Sequence, residues 1–149
     1  MATDWKLYQD TGFEPIDTDH RQISEGLARL LDAVNGGRTQ EAVLGLGQLN
    51  GQFVAHFDHE ERLMAETGYP LAVRHKEAHD FFLKDATRFL AELQSDGLTA
   101  SFRRWITGRA LEWFRFHIAA NDVGLGRFLQ AREDRALEAI EVEVEVAQP

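Results

Sequence analysis

Apolar side chains recur at every third and fourth position through four long segments of this chain, and glycine or proline interrupts the pattern between them. The first segment, from about Asp17 to Val34, carries Ile16, His20, Ile23, Leu27, Leu30 and Val34 on one stripe. Asp17 and Asp19 near its start suit a helix N-terminus, where side-chain oxygens cap free N–H groups. The second, about Thr39 to Glu66, places Leu46, Leu49, Phe53, His56, Glu60 and Leu63 together. The third, about Leu71 to Leu93, aligns His75, His79, Phe82, Ala86, Phe89 and Leu93. The fourth, about Thr99 to Gln130, aligns Phe102, Ile106, Ala110, Trp113, His117 and Ala120.

Asn35-Gly36-Gly37, Thr67-Gly68-Tyr69-Pro70 and Ser95-Asp96-Gly97 supply the turns. Short connections between amphipathic helices predict an all-α fold, an up-down-up-down antiparallel four-helix bundle. One domain is expected over residues 1–149, with the bundle at about 16–131. An N-terminal arm, 1–15, carries Trp5, Leu7, Tyr8 and Phe13 and should pack across the helices. The C-terminal tail, 132–149, alternates Glu and Val, and its like charges oppose strand pairing. A short extension of helix followed by a frayed end is expected there.

Composition narrows the chemistry. A net charge of -9 leaves no basic stripe for phosphates, which argues against nucleic acid and anionic membrane surfaces. Cysteine is absent, so disulfides, thiolate zinc sites, iron–sulfur clusters and thiol catalysis are excluded. No segment has the length and apolarity of a membrane span, and no leader is visible at the start. A soluble cytoplasmic monomer is expected, its outer faces free of any large apolar stripe.

The polar residues within the stripes carry the function. His20, His56, His75, His79 and His117 all occupy core-facing positions, on four different segments, and Glu60 joins them. His56/Glu60 and His75/His79 have i,i+4 spacing, which stacks each pair on one helix face about 40° apart. Burying that many imidazoles and a carboxylate without partners would cost several kcal/mol, whereas a shared metal centre satisfies them together. Imidazole and carboxylate suit first-row transition metals. With Asp122 the set reaches seven groups, more than one ion normally takes, which suggests two metals.

Asp122 fits less well than the rest. Five residues beyond His117, it falls about 140° around an ideal helix, which makes it a surface residue unless the helix widens locally or the side chain reaches obliquely. His59, three residues from His56, reads as a surplus surface histidine. Glu61 points away from the stripe and reads as solvated.

Taken in order, Ile16-Asp17-x-x-His20, His56-Phe57-x-x-Glu60-Glu61-x-x-Met64, Tyr69-Pro70 before His75-x-x-x-His79, and Trp113-x-x-x-His117-Ile118-x-x-x-Asp122 resemble the hemerythrin family, most closely its single-domain bacterial form. The resemblance runs from Trp5 to about Leu129. It implies a non-haem centre of two iron ions bridged by an oxo or hydroxo group. His75, His79 and His117 would bind one iron, His20 and His56 the other, with Glu60 and Asp122 bridging. The two-histidine iron would keep an open position for dioxygen. Ile23, Phe57, Trp113 and Ile118 correspond to the residues that wall the oxygen pocket. The family pattern gives His59 no ligand role.

The implied function is reversible dioxygen binding for transport, storage or delivery to an oxygen-consuming recipient protein, rather than catalysis. A nitrogen-rich shell carries little negative charge, and the chain has no Glu-x-x-His, the signature of ferritin-like di-iron carboxylate proteins. Two other readings stay open: a di-iron enzyme reducing peroxide, nitric oxide or oxygen, with His59 as a proton source, and an oxygen or redox sensor module. A zinc- or copper-loaded structural bundle is a further possibility that metal content decides.

Overall fold

The structure, a computed structural model, describes residues 8–147. Trp5 and Leu7 of the expected arm lie outside the described residues. Three long helices, α1 (Glu14–Asn35), α2 (Thr39–Thr67) and α3 (Ala72–Asp96), are followed by a fourth rod of several pieces. That rod comprises α4 (Ala100–Arg104), a π turn at Trp105–Arg109, α5 (Ala110–His117), a second π turn at Ile118–Asp122, and α6 (Val123–Ala147). No strand occurs among the described residues, and the molecule is an all-α four-helix bundle.

Each connection uses a glycine in the left-handed region. Gly37, Gly68 and Gly97 have φ of 67°, 66° and 74°, a backbone that glycine adopts without steric cost. Gly68 also donates its N–H to the Met64 carbonyl, closing the end of α2. The fourth rod opens with a side-chain cap, since Phe102 N donates to Thr99 Oγ1 at 3.0 Å.

The first helix starts earlier than expected, at Glu14 instead of about Asp17. Pro15 lies in the first turn, where its missing N–H costs nothing. Asp17 is therefore inside the helix and reaches back to the arm. Thr11 donates to Asp17 Oδ1 through both its N and its Oγ1, each at 2.8 Å, and Gly12 N donates to Oδ2 at 3.2 Å. The arm also presses closely on α6: a Cβ on Gly126 would lie 2.5 Å from Thr11 Cβ.

The tail differs too. α6 continues as helix to Ala147 instead of fraying soon after residue 131, and from Arg132 onward it is exposed. Ala136, Leu137 and Ala139 favour helix, and the helix needs no strand partner for its Glu–Val alternation. The outer surface is less polar than expected, because Phe81 and Phe116 stand 67% and 71% exposed beside a groove between α3 and the fourth rod.

Two apolar clusters fill the bundle. The larger runs through Leu27, Leu30, Leu49, Phe53, Phe89, Phe102 and Phe114, and the smaller gathers Phe13, Ile16, Met64, Leu125 and Leu129. Along α1 the order is Ile16, His20, Ile23, and along α2 it is Phe57, Glu60, Met64. The polar layer thus lies between the two clusters.

Candidate metal centre

His20, His56, Glu60, His75, His79, His117 and Asp122 are all buried, and the four rods bring them into one layer. They fall into two overlapping groups. Ligand atoms of Glu60, His75, His79, His117 and Asp122 lie within 4.8 Å of one another, and so do those of His20, His56, Glu60 and Asp122. Glu60 and Asp122 belong to both groups. The outcome is a three-histidine end and a two-histidine end joined by two carboxylates.

Asp122 joins the layer because the helix widens just before it. Val123 N donates to Ile118 O, an i→i+5 bond that brings a residue five positions on back to nearly the same face. Asp122 Oδ1 then lies 3.1 Å from His117 Nε2 and 3.0 Å from His75 Nε2, while Oδ2 is 2.9 Å from His20 Nε2. Glu60, one turn beyond His56 on α2, places Oε1 2.6 Å from His56 Nε2 and Oε2 3.3 Å from His75 Nε2.

Closeness does not satisfy these atoms. His56 Nε2, His75 Nε2, His79 Nε2, His117 Nε2, both Glu60 oxygens and Asp122 Oδ1 are buried and lack an aligned hydrogen bond. Seven such atoms converging on one layer would cost several kcal/mol in an apolar core. Metal ions are the group that this donor set fits, because they take nitrogen and oxygen lone pairs that have no hydrogen to share.

Electrostatics point the same way. Burial pushes His56 down, but Glu60, Asp19 and Asp122 outweigh it and hold its imidazole up at about 10. His75 is likewise lowered by burial, yet Asp122 and Glu60 raise it to about 9. Burial and the neighbouring His117 and His75 charges drive His79 down to about 2. Burial would raise Asp122, but His117, His20 and His75 hold it well below the usual carboxylate range. Without metal the layer keeps protons on part of its imidazoles to balance two buried carboxylates, and cations can take the place of those protons.

Outer partners orient several rings. The Nδ1–H of His79 donates to Glu61 Oε1 at 3.0 Å, so Glu61 is a ring holder and not the solvated residue its position suggested. Burial raises the Glu61 carboxyl above its usual range. The Asn121 amide lies 3.2 Å from His117 Nδ1. The atom facing the ring is the amide Nδ2, which donates to Nδ1; exchanging amide nitrogen and oxygen by a flip would let Asn121 accept Nδ1–H and leave Nε2 for a metal. Asp19 accepts from His56 Nδ1 at 3.0 Å and from His59 Nδ1 at 3.1 Å. His59 is therefore neither a member of either ligand group nor an isolated surface side chain.

Aromatic packing divides the residues expected around an oxygen pocket. Phe57 stacks flat on His79, with ring centroids 3.9 Å apart and 7° between planes, and Trp113 stacks on His117 at 4.5 Å and 9°. Both serve the three-histidine end, although Phe57 also touches His56 at 5.8 Å. Ile23 lines a cleft beside His56, and Ile118 is fully buried in the larger cluster. His20 is instead met by Phe114, edge-on at 5.8 Å and 87°, and by Tyr8 of the arm at 6.0 Å.

Sequence reasoning missed Phe114. It lies three residues before His117 and four after Ala110, a signal the stripe through Trp113 and Ala120 concealed. Trp113 is half-buried and Ala120 exposed, while Phe114 is fully buried.

The chain is similar to known proteins. Residues 11–129 match the hemerythrin HHE cation binding domain. A bacteriohemerythrin of Stenotrophomonas maltophilia strain R551-3 is 32% identical over 109 residues, covering 68% of this chain and 70% of the relative. A bacteriohemerythrin of Pseudomonas aeruginosa strain LESB58 is 27% identical over 125 residues, covering 80% and 76%. Another, of Pseudomonas paraeruginosa, shows the same identity and coverage. With its buried histidine–carboxylate layer inside a four-helix bundle, and with a cation-binding domain matched across most of its length, the chain belongs to the hemerythrin family.

Proposed function

We propose that the centre holds two iron ions and binds dioxygen reversibly, for transport, storage or delivery. The observation that carries this reading is the unequal division of the layer, five protein groups at one end and four at the other, with two shared. Either number suits a five- or six-coordinate ion, and five exceed the four ligands of a tetrahedral structural zinc site. His75, His79 and His117 would hold one ion, His20 and His56 the other, with Glu60 and Asp122 between them. The end with one histidine fewer keeps a position for an exogenous ligand. The ion pair would supply the electrons on which reversible dioxygen binding depends.

The chain's own residues supply the setting. Phe114 and Ile23 on the two-histidine end, with Phe57, Trp113 and Ile118 behind the ligands, form an apolar wall that keeps water from the bound ligand. Asp19, Glu61 and Asn121 are engaged in holding rings, a role that suits a binding protein better than an acid–base catalyst. The test is to load the chain with ferrous iron without oxygen, count the ions, and cycle oxygen in and out. Two irons per chain and a coloured adduct that reverses are expected. Fewer than two irons, or irreversible oxidation on first exposure, would refute the proposal.

A further inference from the structure

We propose that Asp19 and His59 form a clamp that positions His56, and with it the two-histidine end of the centre; this rests on the metal-binding reading of that layer. The geometry converges on one atom. Asp19 Oδ2 accepts the Nδ1–H of His56 at 3.0 Å and the Nδ1–H of His59 at 3.1 Å. A carboxylate only accepts, so both histidines carry hydrogen on Nδ1. With Nδ1 committed to Asp19, Nε2 is the nitrogen that faces inward beside Glu60, and it is the atom that would give up its proton to a metal ion. His59, three residues from His56 on α2, holds the carboxylate from its other side.

The connection also links helices. Asp19 precedes the ligand His20 on α1, so adjacent residues of one helix supply a ligand and the holder of another ligand on α2. The clamp lies in a cleft of about 170 Å³ between the two helices, which Gln22 and Gln52 also line. Asp19 and His59 are 27% and 32% exposed at their side chains, whereas His56 is 2% exposed. The clamp therefore joins a buried ligand to the surface.

Nothing comparable backs up this end. His79 and His117 each have their own polar partner and a flat aromatic neighbour, so losing one support leaves the other. Among the described residues, His20 Nδ1 has no hydrogen-bond partner. One carboxylate oxygen thus orients the imidazole of the two-histidine end that, among the described residues, is anchored outward. His59 acts through Asp19 and touches no ligand atom on the metal side, which makes it a positioning residue.

Chelator competition on the full chain loaded with cobalt(II) tests the clamp, with the visible absorption of bound cobalt as readout and no oxygen needed. The wild-type chain is expected to hold two ions and release both slowly. In Asp19→Ala, one ion per chain should leave about 10- to 100-fold faster, the usual range for loss of an outer partner, while the other keeps its wild-type rate. His59→Ala should accelerate the same ion by a smaller factor. His59→Asn, whose amide can donate from nearly the position of Nδ1, should restore slow release. The double variant Asp19→Ala/His59→Ala should match Asp19→Ala alone, because His59 has no other route to the site.

Acceleration of both ions together, no acceleration of either, or additive effects in the double variant would overturn the clamp. Melting of the metal-free variants at the wild-type temperature separates positioning from general loosening, and a large drop with loss of both ions counts against the clamp. A wild-type chain that fails to hold two ions overturns the metal-centre reading itself. A wild-type chain that holds two, with variants that release them like wild type, overturns the clamp alone.

Discussion

The three-histidine and two-histidine ends of the layer use the same ligand types but are supported by different means. At the first, Phe57 and Trp113 lie flat on His79 and His117, and Glu61 and Asn121 hold the outer nitrogens. Stacked rings and hydrogen bonds both restrict rotation, so those imidazoles are locked from two directions. At the second, His20 meets Phe114 and Tyr8 at steep angles, its Nδ1 is unpaired among the described residues, and His56 depends on Asp19. The contrast is between two imidazoles held twice over and an end that rests on single contacts, while His75 of the first end shares the lighter support, its Nδ1 having no hydrogen-bond partner among the described residues.

The strongest challenge to this division is removal of what the two ends share. Asp122→Ala deletes a carboxylate that belongs to both groups, so metal content measured by elemental analysis should fall from two ions per chain to less than one. His20→Ala touches only the two-histidine end and should leave one ion bound. Equal losses from the two variants would erase the distinction between shared and private ligands.

Phe57→Ala comes next. Phe57 is fully buried, and opening a cavity of that size costs about 3–5 kcal/mol in unfolding experiments. Because His79 loses its stacked neighbour, the three-histidine ion should also exchange faster, which would make the two ends more alike.

A smaller effect is expected from the arm. Gly126→Ala places a methyl 2.5 Å from Thr11 Cβ and 2.9 Å from its carbonyl oxygen. The overpacking should cost about 1–3 kcal/mol and push Thr11 off α6, so proteolysis near residues 8–12 should quicken. Access to the two-histidine end should rise with it, since Tyr8 rests on His20. The smallest effect belongs to the tail. Of the described residues, ending the chain after Ala131 removes only exposed helix, and stability should change by no more than about 0.5 kcal/mol; a larger loss would mean that the tail packs against the bundle.

Much of the bundle was legible in the periodicity. His20, His56, His75 and His79 sit on α1 to α3, where stripe and structure agree, because regular helices conserve the angle per residue. The fourth rod was harder. Phe102, Ile106, Ala110 and Phe114 are spaced by fours, which drifts about 40° per step in an ideal helix, and the π turn at Trp105–Arg109 takes up that drift. Reading the rod as one regular helix therefore favoured Trp113 and Ala120 over Phe114. The same assumption left Asp122 on the surface, when a second π turn carries it inward. Glu61 reads as solvated from the sequence for another reason: adjacent to a stripe is not on it, yet its side chain reaches His79 on the next helix.

The sequence by itself determined the helices, their glycine ends and the residues able to bind metal, because helical periodicity and turn chemistry are local properties of the chain. The division of the histidines, with Glu60 and Asp122 shared, was implied by the family resemblance but not by spacing; the tertiary structure brings those atoms together and alone decided that Asp19 holds His56 and His59. Those facts depend on distances between helices and on two extra-wide turns. No pattern of residue spacing along a single helix encodes either.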